Sequence, residues 1–361
     1  MIPKHESIMS SIRRSKLDNN ITRDERGVSE VLGVIMMLAM VVSIMGGVWV
    51  FLNPYLSDFE DNTNWNKATG IADRIEDRID VVGDSPNGTG IRHKLSMQNS
   101  LLQGVSNVEL WTISADMVST DQISIRSISD NSIGISSINE TARKVSITTS
   151  ESYFEESFIA SQTESIVTYG LITSGWKMIT VYDSEDNPIH RSITYPISGL
   201  KIITTLESGE HEINIANSAR IEHFPNSPWE ISRYPNIQFD ELASGEYRIS
   251  ILLTNIEVNG TLGISSTLGI DILSSGTLTP FSGLGYNLRF TMSNEIAAVI
   301  TPQYNELWLS DYYLNRASGT LDTFTGLVPY ERSSGFDGIT VETQGIPLYL
   351  DVNIQQVVVQ K

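Results

Sequence analysis

Hydrophobic positions along this chain follow three different periods. From Val31 to Leu52 they form an uncharged run, and Val-Leu-Gly-Val-Ile-Met-Met-Leu-Ala-Met-Val-Val within it has no recurring polar position. Such a run is not an amphipathic surface helix. At about 1.5 Å per residue it makes a helix roughly 33 Å long, enough to cross a bilayer. Buried helices of soluble proteins seldom run so far without charge. Ser43 supplies the hydroxyl inside it, which can bond a carbonyl one turn earlier.

Beyond Pro54, which is expected to bend or interrupt that helix, the period becomes helical and amphipathic. Phe59, Trp65, Ala68, Ile71, Ala72, Ile75, Ile79 and Val82 recur at spacings of three or four. They predict a stem ending at Gly83, a C-cap candidate, with its apolar stripe packed on the chain's own head. Its charges pair poorly along the helix: Asp73/Asp77, Arg74/Arg78 and Glu76/Asp80 are like-charge neighbours, and Arg74–Asp77 is the complementary pair. These charges are either solvated or met by a neighbouring stem.

From Asp84 onward the period falls to two. Val108–Met117, Gln122–Ile128, Lys144–Thr148, Ile166–Tyr169, Lys177–Tyr182, Lys201–Leu206, His211–Ile215, Tyr247–Thr254, Leu288–Met292 and Ile346–Val359 read as strands separated by Ser, Asn, Asp or Gly. The last run alternates through Ile354 and then slips phase to Val357 and Val359, which predicts a bulge near Gln355-Gln356. His223–Pro235 reads as an irregular surface connection. The predicted fold is α+β: a long N-terminal transmembrane and stem helix, then a large antiparallel β-rich head of one or two β-sandwich-like domains. The expected divisions are residues 1–27, 28–83, 84–200 and 201–361, the last being a second domain or a continuation of the same head.

Charge orients this plan. The 361 residues include 24 basic and 43 acidic side chains, a net charge of −19, and no cysteine. That balance argues against nucleic acid as a partner, since phosphate binding needs a basic face. The absence of cysteine rules out disulfide staples and thiolate metal sites. Residues 1–27 are mixed in charge with a basic excess (Lys4, Arg13, Arg14, Lys16, Arg23 and Arg26 against Glu6, Asp18, Asp24 and Glu25), whereas Asp58, Glu60 and Asp61 follow the span. This places the N-terminus in the cytoplasm and the C-terminus outside a single-pass membrane helix.

The boundary between leader and span is Arg26-Gly27-Val28-Ser29-Glu30-Val31-Leu32-Gly33-Val34-Ile35. A secretory signal would be cut after its apolar core; here the Arg-Gly pair precedes it. This stretch resembles the class III signal peptide and N-terminal helix of archaeal type IV pilin-like proteins, a resemblance covering about the first 80 residues. It implies cleavage after Gly27 by a prepilin peptidase, leaving a mature chain that begins at Val28. The retained helix would then pack with the helices of other pilin-like subunits in a surface filament. Glu30, third in that mature chain, would pair with the α-amino group of Val28 on a neighbouring subunit. The same carboxylate also suits a helix N-terminus without any partner. Gly33, Gly46 and Gly47 either permit close helix contact or are ordinary membrane-helix glycines.

The head offers no catalytic constellation: the five histidines are dispersed, and neither a G-x-S-x-G elbow nor a P-loop occurs. Two oxygen-rich loops, Asp80/Asp84/Asn87 and Asp183/Glu185/Asp186/Asn187, fit ordinary turns better than calcium sites, and no cofactor is expected. Asn87, Asn139 and Asn259 begin N-x-[ST] sequons and are candidate glycosylation sites, while that at Asn20 falls in the leader. The alternative to an assembling subunit is a monomeric surface protein that uses the helix as an anchor. An ectoenzyme is the third and weakest possibility.

Overall fold

The computed structural model describes residues 7–97, 99–170, 175–225, 227–243, 246–260, 262, 267–293, 327–332, 338–343 and 347–361. One long apolar N-terminal helix is followed by a large β-rich region, an α+β arrangement. The chain divides into two compact units, Met1–Thr63 and Asn64–Lys361.

Helix α1 runs from Ser7 to Gly83. It therefore begins within residues 1–27, read from the sequence as a leader ahead of the span. It also passes through Pro54 without the expected interruption. Proline removes a single N–H from the ladder, and the helical hydrogen bonds on either side of it remain. In the first unit every residue from Val28 to Leu56 is exposed, and Ser43 Oγ donates to the Ala39 carbonyl at 2.7 Å, as its position predicts.

The strands of the second unit are β1 (Gly90–Leu95), β2 (Ser100–Asp116), β3 (Ile123–Ser129), β4 (Ser132–Ser137), β5 (Lys144–Thr149) and β6 (Tyr153–Ser157). Then come β7 (Ser165–Thr168), β8 (Lys177–Tyr182), β9 (Pro188–Leu206), β10 (Gly209–Ala216), β11 (Ala219–His223) and β12 (Trp229–Arg233). The series closes with β13 (Asn236–Glu241), β14 (Tyr247–Asn259), β15 (Leu268–Ser293), β16 (Leu327–Arg332), β17 (Gly338–Thr343) and β18 (Leu348–Gln360). Ile346, the expected start of the last strand, lies outside the described residues. The main path of pairing is β12-β11-β10-β9-β2-β15-β18-β14-β13, while β3-β4-β7 form a separate small sheet. Strand β9 passes through residue 200 without a break.

Two differences from the sequence reading have physical causes. The stretch His223–Pro235 contains β12, hidden by its flanking prolines, with Trp229 buried and stacked on His223 at 4.9 Å. The irregularity expected near Gln355-Gln356 is present in the pairing with β15, where one residue is extra between Ser274↔Val357 and Gly276↔Gln356, while β18 itself runs unbroken. β14 and β18 pair in parallel without a register shift from Tyr247↔Leu348 to Asn259↔Gln360. In an unbroken strand successive side chains point to opposite faces. The change from Leu348, Leu350, Val352 and Ile354 to Val357 and Val359 therefore moves the buried set from one face to the other.

That switch divides the core. One hydrophobic cluster joins Trp111 and Ile113 of β2, Ile193 and Tyr195 of β9, Ile249 to Leu253 of β14, Phe290 of β15 and the first half of β18. A second takes the opposite face: Leu200 and Ile202 of β9, Ile213 and Ile215 of β10, Ile256 of β14, and Val357 and Val359 of β18. It is closed by Ala68, Ile71, Ala72, Ile75, Ile79 and Val82, so the predicted stem stripe packs on the head strands. Phe59, the first residue of that stripe, is 69% exposed in the other unit. Gly83 ends the helix, but not as a left-handed cap. No positive φ marks it, and a Cβ there would stand 2.7 Å from Gln355 Oε1, so the Gln355 side chain lies close against this glycine. A third cluster lies among β3, β4, β5, β7 and β8.

Candidate functional site

Five places carry chemistry: the N-terminal helix, the seam between stem and strands, a buried polar belt, and two clefts in the head. On the helix, Arg26, Gly27 and Val28 are consecutive residues of α1. Val28 is 64% exposed, and Glu30 is exposed two residues on. The large apolar side chains from Val31 to Phe59 are uncovered. A Cβ built at Gly33, Gly46 or Gly47 meets nothing within 4 Å, so no contact within the chain explains these glycines.

At the seam, the acidic stem residues find partners that the sequence could not name. Arg220 of β11 bridges Asp73 at 2.5 Å and Glu76 at 3.2 Å, and Arg233 of β12 reaches Asp80 at 2.5 Å. Burial pushes the Glu76 carboxyl up to about 7, against the pull of Arg220 and Arg233. Within the like-charge rows along the stem, Asp73, Glu76 and Asp80 are thus answered by arginines of the same head. Trp65 packs edge-on to Phe224 at 4.4 Å, and Phe224 stacks on the fully buried His211 at 4.3 Å.

The polar belt between the first two clusters holds an enclosed acid. Glu109 is fully buried, and its Oε2 accepts from Trp111 Nε1 at 2.8 Å and Asn217 Nδ2 at 3.0 Å, while Oε1 has no partner. Burial raises its pKa to about 7, and the two donors only partly offset this. Asn217 adopts φ +51°, and its Oδ1 accepts from the Thr254 amide. Gln355, on the stem-facing side of β18, accepts from Thr254 Oγ1 and donates to Asp84 at 2.7 Å.

The face that the first cluster leaves beyond Leu253 and Ile354 becomes one wall of a cleft of about 870 Å³. Asn255, Glu257 and Asn259 of β14, Gln356 of β18, Tyr195 of β9 and half-buried Trp176 line it. Its opposite lip is a break in β2, where Ser106, Asn107 and Val108 face the single Ser198 of β9, and Asn107 adopts φ +53°. Asn255 ties the walls: its Oδ1 accepts from the Ser198 amide at 2.7 Å and its Nδ2 donates to Glu257 at 3.0 Å. Burial first, then the nearby Glu257 charge, raises the Tyr195 phenol. A smaller cleft of about 370 Å³ between β3 and the β9-β2-β15 face includes His190, whose Nδ1 is 2.7 Å from the buried Asp116. Neither cleft was predicted, because each joins residues far apart in sequence.

The expected glycosylation sites differ in access. Asn87 and Asn259 are exposed; Thr261 of the latter sequon lies outside the described residues. Asn139 donates its Nδ2 to the Thr120 carbonyl at 2.6 Å, and Thr141 of the same sequon bonds Asp121. Both groups a glycan transfer would need are therefore already engaged. The oxygen-rich loops act as turns: Asp183 accepts from the amides of Glu185 and Asn187, Asp186 meets Lys144 at 2.6 Å, and Asp80 and Asp84 are bonded as above. Comparison with family models, with curated proteins and with solved structures finds no match to this chain.

Proposed function

We propose that this chain is a type IV pilin-like surface protein. A prepilin peptidase removes residues 1–27 after Gly27, and the helix from Val28 assembles with like helices into a cell-surface filament, as a minor or adhesive subunit. The observation that carries this reading is the uncovered apolar surface of α1 from Val28 to Phe59. At roughly 25 cal/mol per Å² of apolar surface, water is an unfavourable surrounding for it, whereas lipid tails or other helices are not. One such helix, by length and composition, is enough to span a bilayer. The vacant space around Gly33, Gly46 and Gly47 suits close approach of a neighbouring helix.

Gly27 lies within the helix, and a peptidase needs extended backbone. Glycine costs a helix about 1 kcal/mol relative to alanine, which makes this point easier to open than its non-glycine neighbours. Cleavage then frees the Val28 amino group for Glu30 of a neighbour, a pairing that offsets the cost of a carboxylate at the membrane edge. The leader stays in the cytoplasm and the head, a sandwich-like body around the first cluster, stands outside, glycosylated at Asn87 and Asn259 in preference to Asn139. Intact-mass spectrometry of the chain from native membranes tests the processing step. The expected mature protein begins at Val28, and Gly27→Val or Gly27→Asp retains the leader; a native chain that keeps residues before Val28 overturns the reading.

The size of the second unit, Asn64–Lys361, favours a second reading in which the helix only anchors a monomeric binding protein. Electron microscopy of sheared surface fractions separates the two: filaments containing this chain support assembly, and detergent-soluble monomers alone support the anchor.

A further inference from the structure

We infer that the larger cleft of the head binds a neutral saccharide of two or three sugar units. The inference concerns the head alone and stands whether or not the helix assembles. A volume of about 870 Å³ falls within the range of small-molecule sites, about 300–1,000 Å³. What fills it is decided by the chemistry of its walls. Asn107 and Gln356 present carboxamides, each of which both donates and accepts, as a row of sugar hydroxyls does. Glu257, held by Asn255 at 3.0 Å, adds a charged acceptor already fixed in direction. Trp176 offers ring surface of the kind that the C–H face of a sugar covers.

Other ligand classes fit worse. An apolar molecule would strip water from these amides and from Glu257 without replacing the lost hydrogen bonds. An anion would meet Glu151 and Glu257 with no Lys, Arg or His among the described lining residues to offset them. A cation would use the carboxylates and the ring but leave the amide N–H groups unsatisfied. A neutral polyol satisfies both kinds of group. The cleft is also braced in advance. Asn107 is held in the left-handed region, with its amide donating to Ser198 Oγ at 3.2 Å, and Asn255 links Ser198 to Glu257. Backbone held in such conformations gathers at ligand sites.

The test uses the full chain in a detergent without a sugar headgroup, produced without N-glycans because Asn259 lies on the cleft's rim. Maltotriose, mannotriose and chitotriose are titrated in turn by isothermal calorimetry. The expected result is saturable binding of at least one of them. Trp176→Ala and Glu257→Gln should each weaken it about tenfold or more, while Tyr349→Ser on exposed β18 surface leaves it unchanged. Circular dichroism melts verify that the variants are folded. Failure of all three trisaccharides to bind overturns the inference, as does binding that survives both cleft substitutions. Binding of pentalysine in their place reassigns the cleft to cationic peptides.

Discussion

Burial of Glu109, as of Glu76, gives the fold a pH response of unusual sign. Glu109 holds its proton up to about pH 7 because burial penalises its charge more than Trp111 and Asn217 favour it. The unfolded chain releases the same proton near pH 4.3. The fold thus binds the proton more tightly, so stability falls as pH rises between these values and levels off above the folded one. Glu109→Gln removes the titration and keeps an acceptor for both donors. In urea unfolding followed between pH 5 and 8, the wild type should lose on the order of 3 kcal/mol more than the variant; parallel curves would rule this out. Asp121 works the other way. Burial alone would raise its carboxyl, but the Asn139 amide and the Ser137 and Thr141 hydroxyls hold it below the usual range. Its contribution is present above about pH 4 and lost as acid titrates it.

At the scale of elements, the stem and β11–β12 form one electrostatic unit. Removing Arg220 would leave Glu76 and Glu222 buried beside fewer cations, since its Nε also lies 3.1 Å from Glu222. Breaking a buried pair on one side costs about 3–5 kcal/mol. Arg220→Ala should fall in that range, and Glu76→Gln in the same background should recover part of the loss. A double-mutant cycle in chemical denaturation checks the coupling, and strictly additive effects would refute it. Here the limits of sequence reading are plain. The stem stripe from Ala68 to Val82 was legible because a helix repeats its buried face every three or four residues. The partners of Asp73, Glu76 and Asp80 were not, because Arg220 and Arg233 reach them only through the pairing of distant strands. The same holds for the cleft, whose Tyr195, Trp176 and Asn255 share no local pattern. The phase slip in β18 was visible as a pattern but ambiguous in meaning: a bulge and a change of buried face look alike until the pairing to β14 is known.

The whole second unit is tied together by strands that serve two cores. β9, β14 and β18 each contribute to the first cluster on one face and to the stem cluster on the other. Neither cluster can lose its strands without exposing the other, so the two should melt in one transition. Ile354→Ala, in the first cluster, should cost about 2–5 kcal/mol. Hydrogen exchange at the Ile75 and Ile193 amides, one in each region, should then report the same drop in global stability. If Ile75 keeps its protection while Ile193 loses it, the cores are independent.

Chain order adds a matter of timing. β18 is the last described strand along the chain, yet it pairs with β14 on one side and β15 on the other. Until residues 348–360 arrive, both neighbours present open edges and both cores lack a wall. Such edges invite wrong pairing, and contacts this distant in sequence form slowly. The apolar helix is complete some 300 residues earlier, and elongation at about 5–20 residues per second separates the two events by tens of seconds. The helix therefore finds its surroundings first, and the head closes afterwards around a stem already in place.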